Sequence, residues 1–230
     1  RTSSSAASDV YKRQVIDNIA DIGSVLEIKA GFAKGMFTGF IRVKGKPLGL
    51  IANNPLFLAG AIDSDGADKA SRFIKLCENY NIPILSLCDT PGMMVGPEIE
   101  ETGLVRHCCR LFLAGANVTV PMMTIVLRKA YGLGAQAMAG GSFMAPQFVV
   151  GWPTAEIGAM GLEGAVKLGY RKELEAESDV EKKEKLFKKL VDDLYEKGKA
   201  INAASLLEFD TVLDPMESRD WISMVVESPI

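Results

Sequence analysis

Short apolar runs alternate with amphipathic stretches along most of the chain. Runs of four to ten apolar residues bounded by Gly, Pro or Asn are typical of buried strands. The predicted strands are 37–43, 47–53, 82–88, 118–127 and 143–150. The first two are joined by a tight turn at Gly45–Lys46. Apolar positions that recur every three to four residues predict helices instead. The predicted helices are 65–80, 99–116, 135–139, one that begins within 161–168, and 179–203.

The order of these elements predicts the fold class. Two strands and a helix are followed by units of one strand and one helix, and the later strands are apolar on both faces. Strands buried on both faces are typical of parallel sheets covered by helices. We therefore expect an α/β fold with a largely parallel sheet. The long helix 179–203 has its apolar positions at Leu186, Leu190, Leu194 and Ile201, and its mixed charges indicate a solvated face.

The first fourteen residues differ from the rest. RTSSSAASDVYKRQ is rich in Ser and Ala, shows no strand or helix period, and lacks the apolar core of a signal peptide. We expect 1–14 to be a non-native or disordered leader and 15–230 to form the domain.

Composition excludes several classes of function. The 230 residues carry 26 Lys and Arg against 29 Asp and Glu, for a net charge of −3, which argues against a nucleic-acid binder. Apolar runs are too short to span a membrane.

The single histidine, His107, excludes multi-histidine metal sites, and a dyad with Cys108 is disfavoured because adjacent helical residues point about 100° apart. Four irregularly spaced cysteines indicate reduced thiols rather than disulfides, and hence the cytoplasm, or the mitochondrial matrix in a eukaryote.

Three loops leave the ends of predicted strands, at 53–61, 88–96 and 128–136. Parallel α/β sheets bind ligands at the carboxyl ends of their strands, so these loops are the candidate site. In the third loop, two glycines lead directly into a helix, which leaves the first backbone N–H groups of that helix free for an anion or oxyanion. A plain tight turn would explain the same glycines. Asp89 could likewise belong to a β-turn or cap the following helix.

Five long segments resemble one family, in the same order along the chain. They read FAKGMFTGFIRVKGKPLGLIANNP, AGAIDSDGADKASRFIKLCENYNIPILSLCDTPGMMVG, VPMMTIVLRKAYGLGAQAM, WPTAEIGAMGLEGAV and FDTVLDPMESR. From about Ile19 to Trp221 the chain resembles the C-terminal half of the carboxyltransferase component of biotin-dependent acyl-CoA carboxylases, of the acetyl-, propionyl- or methylcrotonyl-CoA carboxylase type.

The resemblance implies an α/β ClpP/crotonase-like fold, a superhelix of β-β-α units. It implies a biotin carboxyl carrier protein, an N-terminal carboxyltransferase domain and further copies of the protein, typically six, as partners. Backbone amides at Leu133 and Gly134 would stabilise negative charge on the ureido oxygen of biotin. The other residues that it implies in substrate or biotin binding are Asp89, Thr90, Pro91, Gly92, Tyr131, Gly132, Ala135 and Gln136.

The reaction that the resemblance implies needs no side-chain base and no metal. Carboxybiotin releases CO2, its ureido nitrogen takes the α-proton of the acyl-CoA, and the resulting enolate attacks CO2. The shortage of histidine agrees with this chemistry. Each preorganised amide donor of this kind contributes on the order of 3 kcal/mol.

The chain departs from the family pattern in two respects. Propionyl-CoA-type members read K-A-Y-G-G-A-Y-D where this chain reads K-A-Y-G-L-G-A-Q, so that Ala135 and Gln136 replace an aromatic residue and an acid. A different or larger acyl group is therefore expected. The family's N-terminal half, with most of the CoA site, is also missing, and we expect the chain to be a fragment without turnover on its own.

Three alternatives stay open. A decarboxylase subunit of a sodium pump would use the same half-site in reverse. A biotin-free hydratase or isomerase would need acidic side chains such as Glu156 or Glu163. A silent assembly module would use Met93–Val95 and Phe143–Met144 only as subunit interface.

Overall fold

The computed structural model describes residues 13–227. The leader expected at 1–14 lies outside the described residues except for Arg13 and Gln14, which are helical and belong to the first helix, α1 (residues 13–19). Among the described residues no helix has the length and apolar character needed to cross a membrane.

Among residues 13–227, eight strands form one mixed sheet. They are β1 (Leu26–Glu27), β2 (Met36–Val43), β3 (Lys46–Asn53), β4 (Ile84–Thr90), β5 (Met122–Tyr131), β6 (Phe148–Gly151), β7 (Glu156–Gly158) and β8 (Thr211–Val212). The spatial order is β1-β2-β3-β4-β5-β6-β8, and β7 pairs with the far end of β5. The first three strands are antiparallel and all later pairs are parallel. The prediction of an α/β fold with a largely parallel sheet is confirmed.

In the described part of the chain, nine further helices follow α1. They are α2 (Ser64–Asn79), α3 (Pro97–Glu100), α4 (Leu104–Ala116), α5 (Gly132–Met138), α6 (Leu162–Gly169), α7 (Arg171–Ala176), α8 (Val180–Gly198), α9 (Ala200–Ser205) and α10 (Ser218–Glu227). Short 3₁₀ turns precede α2, at Leu58–Gly60, and α10, at Pro215–Glu217.

The sheet separates two hydrophobic cores. Alternation along each central strand sends successive side chains to opposite faces. On β4, for example, Ile84 and Cys88 pack with α2 and α4, whereas Leu85 and Leu87 pack with α1 and α10. Both faces of the central strands are thus covered, which explains why their sequences are apolar throughout.

Three predicted boundaries near the start and middle of the chain are wrong. The hairpin turn is Lys44–Gly45, both at positive φ, because Val43 already pairs with Lys46. The helix expected at 99–116 is two helices, since Gly103 adopts a left-handed conformation between α3 and α4. The strand expected at 118–127 begins only at Met122, because the Glu78 carboxylate accepts the backbone N–H groups of residues 119 and 120.

Two later boundaries are also wrong. The strand expected at 143–150 is only Phe148–Gly151, because the preceding backbone forms turns, in which the N–H of Ala145 donates to the carbonyl of Ser142 over 3.1 Å. The helix expected at 179–203 breaks at Lys199, whose backbone is extended and pairs with Glu156 of β7. Ile201, assigned to the apolar face of that helix, lies in α9 and is exposed.

Candidate active site

The three predicted loops meet at the carboxyl ends of β3, β4 and β5. Ile62 forms a short parallel bridge with Met93, in which the N–H of Ile62 donates to the carbonyl of Gly92 over 3.0 Å. Gly134 lies directly against the second loop, since a Cβ built on it would fall 2.6 Å from the carbonyl carbon of Gly92. The expectation that these loops share one edge of the sheet agrees with this packing.

The third loop is a direct passage from strand to helix, with no intervening turn. Tyr131 is extended, Gly132 has a φ of +57°, and α5 begins at Gly132 rather than at the expected Ala135. Gly132 packs so closely that a Cβ would lie 2.8 Å from the carbonyl oxygen of Ala159. Glycine is required here for both its conformation and its lack of a side chain.

The predicted amide donors lie in the first turn of α5. A residue in that turn has no carbonyl four positions earlier within its own helix to accept its N–H. In the described part of the chain, neither a backbone nor a side-chain acceptor contacts the N–H of Leu133 or Gly134. The Leu133 side chain is 61% exposed, whereas Gly134 is buried against the second loop. The arrangement offers two adjacent backbone donors beside the strand ends.

The second loop is closed by its own side chains. The Thr90 hydroxyl donates to the Gly92 carbonyl over 3.0 Å and accepts the Gly92 N–H over 3.1 Å. Gly92 has a φ of +124°, which suits glycine alone. Pro91 between them is half-buried. The β-turn expected at Asp89–Gly92 is wrong, because Asp89 and Thr90 still belong to β4, and Asp89 does not cap α3, whose N-cap is Gly96. Thr90 closes the loop instead through its two bonds with Gly92.

Asp89 lies at the site with its carboxylate already engaged. Arg128 donates from Nε to Oδ1 over 3.3 Å and from Nη2 to Oδ2 over 3.1 Å, and the N–H of Lys129 donates to Oδ1 over 3.2 Å. The Asp89 side chain is buried and that of Arg128 is about half exposed. All of these partners belong to the protein, so the expected role of Asp89 in binding a substrate stays a prediction.

A cleft of about 460 Å³ opens beside α5. Gln136 is exposed and lines it, together with the exposed Leu133, while Ala135 and Tyr131 are buried behind. The other lining residues are two that adjoin the amides in the chain and several from later parts of it. They are Ala130, Gly132, Phe143, Ile157, Gly158, Ala159, Lys197, Ala203, Leu206 and Glu208.

The titratable side chains nearest the amides favour their neutral forms. Burial, together with the neighbouring Glu156 carboxylate, raises the pKa of the Tyr131 hydroxyl far above its ordinary value. Burial and the adjacent charge of Asp89 do the same to the pKa of the Cys88 thiol. Neither group is suited to act as a base near neutral pH. The site offers hydrogen bonding from the backbone, and the cleft beside it also has the charged side chains of Lys197 and Glu208.

The acidic residues proposed for other mechanisms do not line the cleft, although Glu156 neighbours the Tyr131 hydroxyl. Glu156 is buried in β7, opposite Lys129 of β5, and Glu163 is exposed in the first turn of α6. Nδ1 of His107 lies 2.8 Å from a carboxylate oxygen of Asp68, between α4 and α2. Within residues 13–227, no group of three or more His, Cys, Asp and Glu side chains is placed to hold a metal ion.

Sequence reasoning placed Arg128, Asn53 and Gly60 in the candidate loops but assigned none of them a role. The Asn53 side chain accepts the N–H of Asp89, and a Cβ on Gly60 would lie 2.4 Å from the Asp89 carbonyl oxygen. Arg128 did carry a signal, since it is a charged residue at the end of an otherwise apolar strand. The residues of the cleft after 143 carried none, because β7, α8 and α9, which follow later in the chain, bring them there.

Comparison with curated proteins reveals a family. A model of the carboxyl transferase domain matches residues 3–229. The chain is 38% identical over 219 residues to the methylmalonyl-CoA carboxyltransferase 12S subunit of Propionibacterium freudenreichii subsp. shermanii, covering 94% of this chain and 40% of that protein. It is also 38% identical over 208 residues to the methylmalonyl-CoA decarboxylase subunit alpha of Propionigenium modestum, covering 90% and 40%. The chain thus spans about 40% of the length of these relatives.

Solved structures give the same result. A single-chain, multi-domain long-chain acyl-CoA carboxylase is 51% identical with a TM-score of 0.85, over 94% of this chain and 21% of that chain. The transcarboxylase 12S hexamer, solved with methylmalonyl-CoA and methylmalonic acid bound, is 36% identical with a TM-score of 0.85, over 94% and 41%.

Proposed function

The chain belongs to the carboxyl transferase domain family, and on that premise we propose that it supplies the biotin side of an active site that transfers a carboxyl group from carboxybiotin to the α-carbon of an acyl-CoA. The crotonase-like fold expected from the resemblance is confirmed by the solved structures. Residues 15–230 would be the C-terminal domain of such an enzyme.

The pair of adjacent amides at Leu133 and Gly134 is the observation that carries this proposal. Both lie in the first turn of α5, both lack an acceptor among the described residues, and the cleft beside them has apolar side chains from Leu133, Phe143 and Ile157. These features fit a flat, largely apolar ring system that presents one urea oxygen to two donors. The site therefore suits biotin.

The chain's own groups act through position and charge. Carboxybiotin, when bound, supplies CO2 and a ureido nitrogen that accepts the α-proton of the acyl-CoA. The amides of Leu133 and Gly134 donate to the ureido oxygen and stabilise negative charge on it, at about 3 kcal/mol for each donor. Gly132, held against Ala159, and Gly134, held against Gly92, fix these donors before the substrate arrives. The neutral Tyr131 and Cys88 add no competing charge.

The acyl group is proposed to be longer than propionyl. Gln136 takes the place of the acid found in propionyl-CoA-type members, and its neutral side chain lines the cleft. The long-chain acyl-CoA carboxylase, at 51%, is more similar in sequence than the methylmalonyl-CoA carboxyltransferase, at 38%. Both observations favour a larger, apolar acyl chain.

Partners follow from the same proposal. The missing part of the enzyme would supply the N-terminal domain that binds most of the CoA, and a carrier protein would deliver biotin. The 12S relative forms a hexamer, which supports a homo-oligomer here as well. We place the enzyme in the cytoplasm, or in the mitochondrial matrix of a eukaryote.

A decarboxylase is the second candidate function. The 38% identity to a methylmalonyl-CoA decarboxylase subunit alpha favours it specifically. The same amide pair would then stabilise charge on biotin as it accepts CO2 from a carboxylated acyl-CoA. Both candidates would transfer a carboxyl group from a carboxylated acyl-CoA to biocytin. Transfer in the opposite direction, from carboxybiotin to the acyl-CoA during turnover that consumes ATP, would favour the carboxylase.

The test of the proposal uses a complex of this chain with a carboxyltransferase N-terminal half. CO2 release is measured from malonyl-CoA, methylmalonyl-CoA and a long-chain alkylmalonyl-CoA, with and without biocytin. We expect release that depends on biocytin, is fastest with the long-chain substrate, and is absent for either half alone. A folded complex that releases no biocytin-dependent CO2 from any of the three would contradict the proposal and leave the assembly module as the better account.

A further inference from the structure

The pairing of β4 with β5 contains a large irregularity at the site. The two strands run in register from Ile84 opposite Met122 to Cys88 opposite Val126, but the next pair is Thr90 opposite Ala130. A single residue of β4, Asp89, therefore faces three residues of β5, from 127 to 129. Bulges of this kind bend the longer strand and redirect the residues that follow, and they are frequent beside active sites.

The Asp89 carboxylate fills this bulge. Its three donors are the Nε and Nη2 of Arg128 and the N–H of Lys129, all of which belong to the bulged segment and lie within 3.3 Å of its oxygens. Without Asp89 the partly buried Lys129 N–H would lose this acceptor, at an energetic cost. One buried side chain thus satisfies the segment that the irregular pairing leaves open.

The backbone of Asp89 is tied to the first loop as well. Its N–H donates to Oδ1 of Asn53 over 3.1 Å. Its carbonyl oxygen packs against Gly60 so closely that a Cβ on Gly60 would lie only 2.4 Å from it. Asp89 therefore contacts all three loops of the site.

The bulge leads directly to the amide donors. Regular pairing resumes at Ala130, and Gly132, Leu133 and Gly134 follow at once. We propose that Asp89 is a positioning residue of the carboxyl transfer, which sets the shape of the 127–129 bulge and thereby places the Leu133 and Gly134 amides for the ureido oxygen. This inference rests on the proposed function and assigns to Asp89 a role other than contact with the substrate.

Two substitutions separate the functions of the carboxylate. Asp89→Ala removes every acceptor, and we expect kcat of the complete two-half complex to fall about 100-fold, because a displacement of about 1 Å in catalytic groups costs that much. The KM for the acyl-CoA should stay within threefold, because the CoA binds to the other half. Asp89→Asn keeps an oxygen for the Lys129 N–H and should retain at least ten times the kcat of Asp89→Ala.

Leu85→Ala is the matched control. Leu85 is fully buried on the same strand, four residues earlier, and it packs in the core away from α5. The substitution should lower the Tm at least as far as Asp89→Ala does, yet leave kcat within threefold. Equal losses of kcat in Leu85→Ala and Asp89→Ala would show general destabilisation and overturn the proposal, as would a kcat for Asp89→Ala within threefold of wild type.

Hydrogen exchange of the same complex provides a readout independent of turnover. Asp89→Ala should exchange faster at residues 128–134 than wild type does, and Leu85→Ala should not. If the wild-type complex shows no biotin-dependent turnover, the proposed function fails, and exchange alone then decides whether Asp89 holds the loop. Faster exchange confined to 128–134 would support that role, and unchanged exchange would contradict it.

Discussion

Burial separates the four cysteines by reactivity. It raises the pKa of Cys77 to about 12 and that of Cys108 to about 11, and it raises the pKa of Cys88 further still. Cys109 is exposed on α4. Because the thiolate is the reactive form, we predict that a thiol reagent at pH 8 modifies one thiol per native chain. Mass spectrometry should find the label on Cys109, and Cys109→Ser should abolish the fast phase. Rapid labelling of any buried cysteine would contradict this prediction.

Individual residues of the site were predictable where the local backbone sets their role. The glycines of the third loop could be assigned from the sequence because the passage from strand to helix needs positive φ at Gly132 and close packing at both Gly132 and Gly134. The role of Asp89 could not, because its partners Arg128 and Lys129 lie about forty positions away and meet it only through an irregular register.

At the scale of elements, an ion cluster joins α2 to α4. Burial would raise the pKa of Asp68, but contacts with His107 and Arg110 outweigh it and hold this pKa below its ordinary value of 3.8. A carboxyl group with a lowered pKa stabilises the fold above its unfolded pKa, and that contribution disappears as the pH falls through the folded value. The contribution is on the order of 1 kcal/mol or less, since the group is partly exposed.

The prediction concerns the substitution Asp68→Asn. It should lower the free energy of unfolding by about 1 kcal/mol or less at pH 7, and the difference from wild type should shrink as the pH falls below 3.8. Urea denaturation at pH 7 and pH 3 measures both values. Asp192→Asn, an exposed change in α8, is the control and should show no such trend. A difference that grows towards low pH would contradict the assignment.

The junction of α8 with β7 depends on one glycine. A Cβ on Gly198 would lie 2.4 Å from the backbone carbonyl oxygen of Ile157, which cannot move without disturbing β7. Gly198→Ala should therefore destabilise the protein by about 1–3 kcal/mol, as overpacking does. Gly164→Ala, in the interior of α6 with open space around it, should stabilise by about 0.5–1 kcal/mol. Thermal unfolding distinguishes them, and equal Tm values would refute the packing argument.

Element type was predictable from apolar periodicity, whereas element ends were not. Every predicted strand and helix exists in some form, because the central strands are buried on both faces and α2 on one. The ends were missed where a distant group decides them. Glu78 delays the start of β5, and the pairing of Lys199 with Glu156 divides the long C-terminal helix.

At the scale of the whole molecule, the chain is about 40% of the length of its relatives and exposes apolar side chains at the cleft. Leu133 is 61% exposed and Leu206 is 75% exposed, and both line the cleft beside the amide donors. Exposed apolar surface at a site is typical of a face that another unit covers. This agrees with the proposal that the chain supplies half of an active site and that turnover needs the other half.

The central claim is that the Leu133 and Gly134 amides donate to biotin. Two matched substitutions of Gly134, one by proline and one by alanine, test whether its N–H is needed. Gly134→Pro and Gly134→Ala both place a Cβ about 2.6 Å from the Gly92 carbonyl carbon, but only proline removes the N–H. The measurement is kcat for biocytin-dependent decarboxylation by the two-half complex of each variant. We predict that Gly134→Pro is at least 100-fold slower than Gly134→Ala, the loss expected for one oxyanion donor. Equal rates for the two variants, or full activity in Gly134→Pro, would contradict the claim.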